Sequence, residues 1–148
     1  MNRRRSLATL MLLAALHALV PLAHAQKDPA FDQTARSLVR LDSLSRQLAV
    51  GIARQVAERG IVTDDSREEI AIATAESLHR ATSCLKRRFF DGAECDEIEE
   101  RLLEIDELAD RVQASGSRLG LYGYLREKLA AYLNERDWLK RHLGVDRG

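Results

Sequence analysis

The sequence predicts an all-α fold, an antiparallel up-down-up-down four-helix bundle behind a cleaved signal peptide. Three observations carry this. Four long stretches repeat apolar residues at spacings near 3.5, as coiled-coil seams do. The connections between them are short, which makes consecutive helices antiparallel neighbours. No segment alternates with period two, and Pro is absent after Pro29.

The chain opens on Asn2-Arg3-Arg4-Arg5, a positive segment, followed by the apolar run Leu7 to Leu22, which holds no acid or base except His17. Ala23-His24-Ala25 fits the small-x-small pattern of signal peptidase sites, so residues 1–25 read as a signal peptide and Gln26 as the mature N-terminus. The run is shorter than the ~20 residues a spanning helix needs and is broken by Pro21. Membrane contact is therefore expected only during export, and the mature chain in the periplasm or outside the cell. Removing the signal takes three arginines and no acid from a balanced chain, leaving a small net negative charge. That charge is too small, and of the wrong sign, to argue for nucleic acid, and no nucleic-acid partner is expected. Residues 26–148 suffice for one helical domain with one hydrophobic core.

Asp28-Pro29 starts the first helix, since Asp caps and Pro is tolerated at the first helical position. Its stripe is Phe31, Leu38, Leu41, Ser45, Leu48, Ile52 and Val56, and Gly60 ends it. Ser66-x-x-Glu69 is a capping box opening the second helix. Its stripe is Ile70, Thr74, Leu78, Ala81 and Leu85, and Lys86-Arg87-Arg88 sits where the helix dipole is negative. Phe89-Phe90-Asp91-Gly92 makes the turn. The third helix runs from about Glu94 to Ala114 on Ile98, Leu102, Ile105, Ala109 and Val112, with Ser115-Gly116-Ser117 as the break. The fourth continues to Leu143 before Gly144, on Leu121 or Tyr122, Leu125, Leu129, Tyr132, Arg136, Leu139 and Leu143.

Two cysteines in an exported chain, Cys84 and Cys95, are expected to form an intrachain disulfide. Measured from the floor that holds Gly60 and Ser115-Gly116-Ser117, both stand at the same height on adjacent helices. The bond would clamp the tip of that hairpin, worth about 3 kcal/mol by the loop-entropy argument. The outer two helices read longer than the middle two, so their far ends should overhang that tip.

No pattern in the sequence calls for a cofactor or a metal. Of the histidines outside the signal, His79 and His142, the first lies about 120° from the core stripe beside Ser83 and Lys86, which faces it to solvent. Metal ligation needs three or four convergent ligands. Haem attachment and nucleophilic hydrolysis lack their motifs. Arg136 occupies a seam position in the fourth helix, and Asp42 lies near the stripe of the first at the same height, predicting a partly buried structural ion pair. The other reading of Arg136 is a small anionic ligand. In export, all-helical form and size the chain resembles secreted chorismate mutases. That resemblance implies several Arg and Lys side chains plus a Glu around a dicarboxylate, whereas here only Arg118 and Arg136 lie on an apolar seam.

Most residues thus have a structural role, and the expectation is a non-catalytic interaction protein: an adaptor, inhibitor, immunity or chaperone-like module. Its partner is another protein or a second copy of itself. Tyr124, Ala131 and Trp138 recur at intervals of seven, 100–140° from the fourth helix's seam, with Glu135 and His142 alongside. Tyr124, Trp138 and His142 are the expected partner-binding stripe, with Trp138 above the cysteines and Phe31 opposite it. The third helix is acidic from Glu94 to Asp110, a solvated face or a docking surface for a basic partner. Leu103 is the one residue in that face that does not suit solvent.

Overall fold

The computed structural model describes residues 29–59 and 66–145, Ser66 by its backbone only. The expected signal peptide, the Asp28 cap and Gly60 lie outside them. Four helices and no strand occur among the described residues: α1 Pro29–Glu58, α2 Ser66–Phe90, α3 Cys95–Leu119 and α4 Gly123–Leu143. Of the first of two compact units, residues 1–32, only the opening turn of α1 is described. The second unit, Gln33–Gly148, holds the bundle.

Each helix buries one face. In α1 the buried face is Leu38, Leu41, Leu44, Ser45, Leu48, Ile52 and Gln55 with their small neighbours. In α2 it is Ala71, Ala75, Leu78, Thr82 and Leu85, in α3 Ile98, Leu102, Ile105, Ala109 and Val112, and in α4 Leu125, Leu129, Tyr132 and Leu139. The α2 face is rotated from the expected stripe: Ile70 is 55% exposed, and small alanines take the inner positions near the start of the helix.

Cross-helix bonds fix the topology. Ser45 of α1 meets His79 of α2, while Asp42, further toward the start of α1, meets Ser83 and Lys86. Arg88 near the end of α2 is held in a two-point bond by Glu97 near the start of α3. Asp106 of α3 reaches Arg136 and Lys140 of α4, and Arg40 reaches Glu135, so α4 lies between α3 and α1. All four neighbouring pairs run antiparallel. Across one diagonal, from α2 to α4, the Thr82 and Tyr132 hydroxyls meet at 2.8 Å in the centre of the core. Thr82 also donates to the Leu78 carbonyl. Burial pushes the Tyr132 phenol far above its ordinary pKa, so it stays neutral.

Ser115-Gly116-Ser117 does not break α3. Both serines hydrogen-bond back to carbonyls of their own helix, Ser115 to Val112 and Ser117 to Gln113. Gly116 is buried where a Cβ would stand 2.7 Å from Leu121 Cδ1. The stop is Gly120, in the left-handed region at φ 67°, its N–H on the Gly116 carbonyl. The end of α1 clamps this turn. The buried Gln55 amide donates to the Gly120 carbonyl (3.1 Å) and accepts from the Tyr122 N–H (2.8 Å). Arg59 donates to the carbonyls of Leu119 and Gly120 and lies over the Tyr122 ring.

The longer α3 overturns the disulfide. Cys84 and Cys95 are free thiols, the first half-buried and the second exposed. Measured from the true floor, Ser66 and Leu119, Cys84 stands eighteen residues up and Cys95 twenty-four. The six-residue offset is ~9 Å at 1.5 Å per residue, beyond the ~7 Å Cα separation a disulfide tolerates. The same lengthening lowers α4, which has 21 residues against 25 in each middle helix and does not overhang them.

A groove along the first and last helices

Helical periodicity turns one flank of α4 toward α1, and Tyr124, Lys128, Ala131, Glu135 and Trp138 share it. The seam holds two open grooves. The lower, about 500 Å³, has Tyr124, Leu125 and Lys128 on one side and Arg46, Val50, Gly51 and Arg54 of α1 among those opposite. Gly51 permits this packing: a Cβ there would stand 2.3 Å from Leu125 Cδ2. The upper groove, about 620 Å³, lies between Gln33, Arg36, Ser37 and Arg40 and Ala131, Asn134, Glu135 and Trp138. The Arg40–Glu135 ion pair (3.3 Å) joins its walls. The buried Ser37 hydroxyl has no hydrogen-bond partner among the described residues.

The lower groove is lined by buried Gly51 and Leu125, by exposed Tyr124 and Val50, and by the cations Arg46, Arg54 and Lys128. Tyr124 is 49% and Val50 62% exposed. Arg54 pairs with Glu58 of its own helix (3.0 Å). Among the described residues, no carboxylate lies within 4 Å of Arg46 or Lys128.

The aromatic stripe is therefore the wall of a groove rather than a free ridge. Tyr124 belongs to the lower groove. Trp138 lines the upper one, half-buried against the core, its ring stacked on His142 at 4.7 Å. Since Arg136 and Lys140 on either side of it both reach Asp106, Trp138 is level with that residue and below the cysteines. Phe31 is exposed within the first unit.

Asp42 and Arg136 do not meet. Asp42 faces α2, bonded by Ser83 and Lys86, with the His79 ring 3.8 Å away. Arg136 faces α3, nearly buried among Asp106 (3.0 Å), Asp110 (3.3 Å) and its neighbour Asp137 (2.8 Å). Asp42 is turned to the α2 side of α1 and Arg136 to the α3 side of α4, a distinction that a height count does not make. Burial works against the Arg136 charge, and the three carboxylates outweigh it. All three guanidinium nitrogens are already engaged by these carboxylates. His79, expected in solvent, is half-buried with Nδ1 on the Ser45 hydroxyl (3.1 Å).

On the outer face of α3, Leu103 is 54% exposed. Its neighbours one turn away in either direction are Glu99, Glu100, Asp106 and Glu107, all acidic. Arg136 and Lys140 hold Asp106, and Arg111 holds Glu107. At the tip, Phe89, Ala93, Ile98, Leu143 and Val145 line an apolar notch of about 150 Å³ beside Cys95.

Among the described residues no group of three or more His, Cys, Asp or Glu converges to hold a metal ion, and no helix is long and apolar enough to cross a membrane. Comparison with protein-family models, with curated proteins and with solved structures finds no match.

Proposed function

We propose that this chain is an exported, non-catalytic helical docking module that takes a segment of a protein partner into the α1/α4 groove. The observation that carries the reading is the lower groove: exposed Tyr124 and Val50 in its lining, beside the cations Arg46 and Lys128, which have no carboxylate partner among the described residues. An acidic amphipathic helix fits such a surface, apolar side inward and carboxylates toward the cations. Aromatic anchors bury much area at small entropic cost, and rim charges steer the encounter. Export rests on the basic, apolar and small-x-small segments of residues 1–25.

Site-specific photo-cross-linking in the producing cells tests this reading. A photoreactive side chain at Tyr124 should form adducts that map to an acidic helical segment. One at Ile70, equally exposed on α2, should not. Arg46→Glu with Lys128→Glu should remove the Tyr124 adducts. Equal adducts from both positions, or none at Tyr124, would sink the groove as the docking surface.

A further inference from the structure

Building on that reading of the groove, we infer that its occupant is α3 of a second copy of this chain, with Leu103 seated against Tyr124 and Val50. Two surfaces of the molecule carry unbalanced charge of opposite sign. One is the lower groove, where Arg46 and Lys128 have no ion-pair partner among the described residues. The other is the outer face of α3, where Glu99 and Glu100 have no ion-pair partner among the described residues and flank an exposed leucine. Two copies can meet through these surfaces in three ways. Groove against groove brings cations together, and α3 against α3 brings carboxylates together. Only α3 in the groove sets opposite charges face to face while covering Leu103, Tyr124 and Val50. Leu103 supplies the apolar knob that a purely solvated acidic face has no use for, and Glu99 and Glu100, one turn before it, fall within reach of the groove's cations. The contact joins unlike surfaces, so it is head-to-tail, and repetition extends to larger assemblies unless the rotation closes a ring.

Sedimentation velocity of the purified protein over a concentration series at low salt tests the assignment. The wild type should associate reversibly, and less so as salt rises, because the paired charges are exposed to screening. Arg46→Glu with Lys128→Glu in one variant, and Glu99→Lys with Glu100→Lys in another, should each weaken self-association at least tenfold while keeping the helical circular dichroism. An equimolar mixture of the two variants should associate again, since each then offers the surface the other's altered one complements. Leu103→Glu should abolish association in either background. A wild type that stays monomeric, variants that associate unchanged, or a mixture that fails to recover overturns the second-copy assignment. Cross-links from Tyr124 to some other acidic protein would still leave the groove reading standing.

Discussion

Asp42 shows how one carboxylate can be held by opposing effects. Burial raises its pKa, but hydrogen bonds from Lys86 and Ser83, with the charges of Lys86 and His79, outweigh that and leave it below the ordinary range. A carboxyl depressed in the folded state contributes stability that is present above its unfolded value, about 4, and lost as pH falls through the folded value. Asp42→Asn should therefore destabilise the protein by about 1 kcal/mol at pH 7. That difference should close as the pH drops below about 4, and urea denaturation of both proteins across pH 2–7 measures it. A difference that stays constant with pH would mean the Asp42 charge contributes nothing. That Asp42 is partnered could be read from its place beside the core stripe. Which helix it faces could not, because an α1 residue at that height has cations available on both neighbouring helices.

Among elements, the turn between α3 and α4 depends most on a residue with no sequence signal. Gln55 is fully buried, and its amide satisfies the Gly120 carbonyl and the Tyr122 N–H together. Gln55→Leu keeps the volume and strands both backbone groups, so a loss of about 2–3 kcal/mol is expected, read from the urea midpoint at unchanged slope. A loss under about 0.5 kcal/mol would mean that water replaces the amide. The helices themselves were legible, because burial follows period: the α3 seam stands where period puts it, and so does that of α4 apart from Leu143, which is exposed. Their ends were less so. Ser-Gly-Ser reads as a breaker by composition, yet each serine finds a carbonyl within the helix and the glycine makes room for Leu121. Five extra residues of α3 followed from that one misreading, and the cysteine register failed with them. The stripe of Tyr124, Ala131 and Trp138 was legible as a distinct face of α4. Its meeting with α1 to form a groove depends on the handedness of the bundle, which a wheel drawn for one helix does not contain.

At the scale of the whole molecule, acids gather on α3, while Arg46 and Lys128 at the α1/α4 seam have no carboxylate partner among the described residues. The core explains the fold, and the exposed apolar residues set in charged surroundings are what the proposed docking contact would cover. Hydroxyl-radical footprinting resolves this side chain by side chain, comparing the purified protein at dilution with the same protein in extract of its producing cells. Tyr124 and Val50 should lose reactivity at least threefold in the extract while Ile70, equally exposed on α2, keeps its own. Protection of Ile70 with Tyr124 and Val50 left reactive would contradict a partner in the α1/α4 groove.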